Sequence, residues 1–337
     1  MQIPKLKESF RPVADIVHQG MNSFILAAAV DMKVFDHLDK KAVSFSVVAQ
    51  LIAATANRTE ALLDCLVALG LVVKESNEYL NTKVASEYLV STAPAYQGPY
   101  VEMTTGFNIK MLQNIPELIK NTGNPERWDS EEWLSVHTVK MLGTTSLHGS
   151  LQNAVAFIKA LSGFFEFEKM CDVGGNHGFY SMGLIDENPR LQAVVCDLPG
   201  LLKQAANVHT EMGYGESISV RSVDLESDDL LGTDYDLVLA SHVLYDWSGT
   251  LLSVVEKIAG SLKSGGYFVS NHMYKDEGMP PSLSASVLEL TTRLAGYSGH
   301  HISEAELREV LTTAGFGDFV VSESDETRCL LLAARKI

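Results

Sequence analysis

Seven consecutive residues in the middle of the chain, Asp172-Val173-Gly174-Gly175-Asn176-His177-Gly178, have the composition of a ligand-binding turn. Glycine lets backbone come close to a ligand, and asparagine tolerates the left-handed conformation better than most residues, so Asn176 can occupy a glycine slot. A dinucleotide site wants G-x-G-x-x-G, which residues 174–179 do not match. Two carboxylates further on, Asp197 and Asp224, each follow a short apolar run. At a strand end, Asp197 can accept hydrogen bonds from both hydroxyls of a ribose, and Asp224 is placed to meet an adenine amino group. The combined chemistry is that of holding one nucleoside. Singly, the turn is equally well a tight strand-to-helix connection and the aspartates helix caps; their register favours a binding site.

The elements that must position these residues are short apolar strands, Met170–Val173, Ala193–Asp197, Ile218–Val220, Leu237–Ala240 and Tyr267–Ser270, separated by helical stretches. Alternation of strand and helix predicts a doubly wound α/β fold with a Rossmann-like parallel sheet, and ligands bind at the carboxyl ends of such strands. Ahead of it, apolar residues at helical spacing predict helices over Arg11–Met32, Val47–Ala53 and Arg58–Leu69, with Asn57 as N-cap and Gly70 as stop. A hairpin, Leu71–Lys74 and Tyr79–Thr82, follows, then a helix through Leu89. Helix, helix, hairpin is a winged helix-turn-helix. Residues 1–110 nevertheless hold ten Lys/Arg against eleven Asp/Glu, and Arg58–Leu69 offers one base and two acids, poor material for phosphate contacts. Surplus apolar surface in Phe24–Val30 and Leu62–Val73 points instead to burial against a second copy.

The chain has 337 residues and a formal net charge of −16, which argues against nucleic acid and anionic membrane as partners. Its longest apolar stretches fall short of a membrane span, and Met1–Phe10 has no signal-peptide pattern, so the expected location is cytoplasmic. Cys65, Cys171, Cys196 and Cys329 lie in apolar runs without a C-x-x-C pair, which predicts buried free thiols.

Spacing from Asp172 fits the acidic-x-Gly-x-Gly-x-Gly pattern of methyltransferases, with Asn176 in the middle slot. The ordered series Asp172-Val173-Gly174-Gly175, Cys196-Asp197-Leu198-Pro199-Gly200, Val223-Asp224-Leu225, His242-Val243-Leu244-Tyr245-Asp246-Trp247-Ser248 and Ser303-Glu304-Ala305-Glu306 ahead of Ala314-Gly315-Phe316 resembles a known family. These are the small-molecule O-methyltransferases related to plant caffeate O-methyltransferase and bacterial hydroxyneurosporene and polyketide O-methyltransferases. The likeness spans nearly the whole chain. It implies S-adenosylmethionine as cofactor, held by Gly174, Asp197, Leu198, Asp224 and Leu225, with Gly175, Gly178 and Ser241 completing the candidate cofactor residues. It also implies a homodimer through an N-terminal winged-helix dimerisation domain and a small-molecule acceptor.

In the plant enzymes the residue before Asp-Trp-Ser is a histidine that deprotonates the acceptor hydroxyl, supported by two glutamates. Here that slot is Tyr245, and the glutamate slots fall on His272 and His301. Tyrosine, with a reference pKa near 10, is a poor base at neutral pH, whereas histidine near 6.5 is a good one. One reading is an exchange of roles in which His301 or His272 takes the proton while Tyr245 orients the acceptor. A second gathers His272, His301 and Asp246, with His242 or His300, around a metal, as in certain α-keto acid C-methyltransferases. Plainer readings are equally open: His272 bonded to backbone, Tyr245 as an aromatic wall, Trp247 as packing, and Arg293 either anchoring an acceptor carboxylate or lying on a helix surface.

The expected organisation is a winged-helix dimerisation domain over 1–105, a helical linker that lines the pocket over 106–165, and a methyltransferase domain over 166–337. The leading functional expectation is methyl transfer to a hydroxyl of an aromatic or polyketide-like metabolite, without a bound metal. The alternatives are C-methylation of an enolisable or tetrapyrrole-type acceptor, and a catalytically silent cofactor-binding protein.

Overall fold

The structure is a computed structural model that describes residues 7–120, 136–225, 231–247, 249–274, 282–324 and 329–337. Part of the expected pocket-lining linker, residues 121–135, lies outside these residues. The chain divides into two compact units, Met1–Lys110 and Met111–Ile337.

The first unit contains α1 (Arg11–Asp31), α2 (Val34–His37), β1 (Val43–Ser44), α3 (Phe45–Leu51), α4 (Ala56–Ala68), β2 (Val72–Glu75), β3 (Glu78–Asn81), α5 (Lys83–Tyr88) and α6 (Gly98–Met103). β2 and β3 form the expected antiparallel hairpin, and β1 adds a third strand against β3. Helix α4 begins after Thr55, two residues before the expected cap, so Asn57 lies within its first turn. It stops where predicted. Gly70 takes φ +73, and the Leu71 N–H reaches back to the Leu66 carbonyl at 3.0 Å, closing the helix with a left-handed residue. Leu63 and Leu66 face the core with Phe35, Val48 and Tyr79, which turns Cys65 outward. That thiol is exposed, contrary to expectation, while Cys171, Cys196 and Cys329 are buried, and all four are free.

Helix α1 buries only Ala29, and Phe10, Val13, Ile16, Val17, Met21 and Phe24 are all exposed. By length and composition it could cross a membrane.

Helix α7 (Ile109–Gln113) spans the boundary, and the second unit continues through α8 (Ile115–Lys120), α9 (Val136–Ser146), α10 (Ser150–Lys159), β4 (Lys169–Val173), α11 (Phe179–Glu187), β5 (Gln192–Asp197), α12 (Pro199–Glu211), β6 (Ile218–Ser222), β7 (Tyr235–Ser241), α13 (Leu251–Ser261), β8 (Leu262–Met273), α14 (Leu283–Leu294), α15 (Glu304–Thr313), β9 (Phe316–Ser324) and β10 (Cys329–Lys336). The sheet order is β6-β5-β4-β7-β8-β10-β9. The first five strands pair in parallel, as expected of a doubly wound sheet, while β10 runs antiparallel to both β8 and β9. Alternate residues of each strand feed two cores. Val238, Ala240 and Phe268 pack towards α13 and α15, while Leu237, Leu239 and Val269 pack towards α10 and α11. Both faces are covered, so only strand ends remain for chemistry.

Candidate active site

Gly174 takes φ +63, and a Cβ there would sit 2.6 Å from Val243 Cγ2, so this position needs glycine for both conformation and space. Asn176 is also left-handed, at φ 39, as its glycine-slot reading requires. Its N–H donates to Asp197 Oδ2 at 3.0 Å, and the Leu198 N–H donates to Oδ1 at 2.8 Å. Two backbone donors therefore fix the carboxylate at the end of β5. Burial nevertheless pushes the Asp197 carboxyl above its ordinary range.

Gly174, Asp197, Leu198, Asp224 and Leu225 line one cavity of about 250 Å³ together with Val173, Val243 and Trp247. The structure thus brings together five of the eight candidate cofactor residues. The other three act differently. Gly175 packs on the Asp172 carboxyl, where a Cβ would lie 2.6 Å from Cγ, and Gly178, at φ +72, leaves no room for a Cβ beside the His209 ring. The Ser241 hydroxyl accepts from Asn271 Nδ2 at 3.0 Å and does not line the cavity. Among the lining residues, sequence reasoning missed Val243 and read Trp247 as packing alone.

Asp172 is fully buried. Desolvation raises its pKa to about 7 against the opposing hydrogen bond from Ser181 Oγ at 2.8 Å. Its Oδ1 has no partner.

Beyond β7 the chain turns sharply. His242 is left-handed at φ 54 with its N–H on the Asn271 carbonyl at 2.7 Å, an unusual conformation for a residue with a side chain. The turn leads into a single 3-10 turn, Leu244–Trp247, that carries Tyr245. The Tyr245 ring stacks on His300 at 4.2 Å between centroids and meets Tyr297 edge-on at 5.6 Å. Burial holds His300 down at about 4, so its ring is neutral at pH 7. The side chain of Asp246 lies outside the described atoms.

His272, on β8, is buried with Nδ1 2.8 Å from Ser270 Oγ. Burial, helped by the neighbouring His242, lowers its pKa to about 4 against the opposing effect of the Ile302 backbone, in keeping with the reading of His272 as bonded to backbone. His301 differs. Its Nδ1 lies 2.9 Å from Glu289 Oε2, on α14, and its Nε2 is buried without a partner. The same Oε2 accepts the His300 N–H at 2.9 Å, and Oε1 accepts Arg293 Nε at 2.7 Å. Burial alone would lift Glu289, but the His300 N–H, the His301 ring and the Arg293 guanidinium outweigh it and hold its carboxyl at about 2. Arg293 is thereby committed to Glu289 rather than offered to an acceptor.

Glu289 is the functional candidate that sequence reasoning missed. Its only signal was the ordinary i, i+4 spacing to Arg293 on a helix. Among the described residues no three His, Cys, Asp or Glu side chains gather as a metal would need.

The description "O-methyltransferase domain" fits residues 137–317, and "O-methyltransferase dimerisation domain" fits residues 14–91. The chain belongs to the O-methyltransferase family. This bears out the resemblance carried by the motif series and makes methyl transfer the chain's chemistry; neither C-methylation nor a silent role is favoured. The chain is 26% identical to 3-hydroxy-5-methyl-1-naphthoate 3-O-methyltransferase of Streptomyces sahachiroi over 304 residues, covering 86% of this chain and 84% of that one. Its fold matches human N-acetylserotonin methyltransferase, solved in complex with SAM, with TM-score 0.80, 22% identity and 99% of each chain covered. An O-methyltransferase family protein from Burkholderia thailandensis matches with TM-score 0.79 and 22% identity over 98% of this chain and 99% of that one. The Rossmann-like sheet and N-terminal helical domain are those of the O-methyltransferases.

Proposed function

We propose that the protein uses S-adenosylmethionine to methylate a hydroxyl of a small aromatic or polyketide-like metabolite. The observation that carries this reading is the cavity where the bare backbone of Gly174 and the backbone-fixed carboxylate of Asp197 meet. Asp197 keeps lone pairs for the ribose hydroxyls beyond the two it spends on Asn176 and Leu198, and Asp224 takes the adenine edge. Leu198, Leu225, Val243 and Trp247 supply the apolar walls that a nucleoside base needs. Gly175 and Gly178 serve this site by letting the turn pack on Asp172 and His209, and Ser241 by anchoring Asn271 beside it. The bound cofactor supplies an electrophilic methyl group to the acceptor oxygen.

The acceptor proton goes to His301. Burial makes His272 a weak base, whereas His301 is oriented through Nδ1 by the Glu289 carboxylate, which leaves its Nε2 lone pair to take the proton. Tyr245 serves as an aromatic wall, locked by His300 and Tyr297, and this stacked set suits a planar acceptor. Asp246 is the next residue of the same 3-10 turn.

The working form is a homodimer in the cytoplasm, with the exposed apolar face of α1 covered by a second copy. Calorimetric titration with S-adenosylmethionine, followed by mass spectrometry of a panel of hydroxylated naphthoates and indoles for a gain of one methyl group, tests the reaction. Failure to bind the cofactor sinks the reading. Sedimentation tests the dimer, and a monomer at micromolar concentration contradicts it.

A further inference from the structure

We infer that Glu289 is the positioning residue for His301, the two forming a histidine–carboxylate pair built from α14 and the loop ahead of α15. The inference rests on the reading of His301 as the base. Three contacts carry it.

Glu289 Oε2 receives both the His300 N–H and His301 Nδ1 at 2.9 Å, while Oε1 is held by Arg293. An ionised carboxylate only accepts hydrogen bonds, so His301 must present Nδ1 as N–H and keep its lone pair on Nε2. Nε2 is the atom without a partner. A carboxylate without a second tether could swing between its neighbours. Here Arg293 fixes the far oxygen, and the His300 backbone ties the loop to the near one. Gly299 sits against the same group, its Cβ position 3.0 Å from Glu289 Oε1, so the loop follows the carboxylate closely.

As the acceptor oxygen bonds to the transferred methyl carbon, the carbon–sulfur bond of the sulfonium breaks and its electron pair returns to sulfur. The acceptor proton passes to His301 Nε2. The imidazolium then stands against the Glu289 carboxylate until the proton is released to water. His300 stacks on Tyr245 from the next position, so the loop that presents the base also braces the aromatic wall.

The test is long-range proton–nitrogen NMR on the full chain labelled with ¹⁵N-histidine, with His301→Gln used to assign the resonance. The expected result is the Nδ1–H tautomer for His301 in the unmodified protein. Glu289→Gln retains an oxygen for the His300 N–H, so the loop stays in place, but it weakens the tautomer preference at least tenfold. It also lowers kcat about tenfold to a hundredfold while the Kd for S-adenosylmethionine is unchanged. Glu289→Ala, whose melting temperature reports any loss of fold, gives the larger change. An Nε2–H tautomer in the unmodified protein, or a tautomer preference unaffected in Glu289→Gln, overturns the pairing. Full turnover in His301→Gln, with the Nδ1–H tautomer observed in the unmodified protein, sinks the base assignment and leaves the pairing standing.

Discussion

The turn at Gly174 and the cluster around His301 do their work by different means. At the turn the geometry is fixed by backbone: a left-handed glycine with no room for a side chain, and a carboxylate held by two peptide N–H groups. At the cluster it is fixed by side chains, drawn from β8, the turn after β7, α14 and the loop before α15. Backbone geometry tolerates almost no substitution. A side-chain constellation can exchange residue types while keeping its chemistry, which is what the expected assignment of Tyr245, His272 and His301 to slots held elsewhere by a histidine and two glutamates requires.

The sharpest break in that comparison is expected from Gly174→Val. A side chain at φ +63 that meets Val243 at 2.6 Å should weaken S-adenosylmethionine binding more than about a hundredfold by calorimetry, through strain and lost space together. His301→Gln should reduce kcat by about a hundredfold with little change in cofactor Kd, read by single-turnover methyl transfer. Asp197→Asn should raise the Kd about tenfold, because charge-assisted hydrogen bonds to ribose become neutral ones, while leaving the rate at saturating cofactor nearly intact. Tyr245→Phe should change either constant by no more than about threefold, because the ring's stacking on His300 survives loss of the hydroxyl. A large loss in kcat for that variant would return the proton chemistry to Tyr245.

Titration cuts across the two regions. Burial holds His177 at about 3 and His242, His272 and His300 at about 4, below the ordinary 6.5. The unfolded chain therefore binds more protons than the folded one between these values, and stability falls as pH drops from 6.5 through about 4. Asp172 opposes this trend. Its folded pKa of about 7 lies above the ordinary 3.8, so its contribution is full below 3.8 and is lost as pH rises through 7. Asp172→Asn should steepen the acid-side loss of melting temperature, and His272→Gln should make it shallower.

How much of this was legible in the sequence follows the same division. The turn, Asp197 and Asp224 could be read because each closes a strand, and strand, turn and helix are contiguous in the chain. The winged hairpin and the Gly70 stop were legible for the same local reason. The antiparallel pair β9 and β10 was not among the strands read, because Phe316–Ser324, at a sheet edge, groups Phe319-Val320-Val321 and then Ser322-Glu323-Ser324 instead of alternating, while Cys329–Ala334 is a buried apolar run that periodicity alone cannot assign. Glu289 was illegible for a deeper reason. It lies twelve positions before His301 on a helix whose sequence carries no motif, and only folding of the intervening loop brings the two to 2.9 Å.

If cofactor binding belongs to the strand-end turn and proton removal to the side-chain cluster, the two functions are separable by substitution. Calorimetric titration of the unmodified chain, Gly174→Val and His301→Gln with S-adenosylhomocysteine tests this without knowledge of the acceptor. Stoichiometric binding to the unmodified chain and to His301→Gln with equal Kd is expected, and none detectable to Gly174→Val. Absence of binding to the unmodified chain, or equal binding to all three, would contradict that separation.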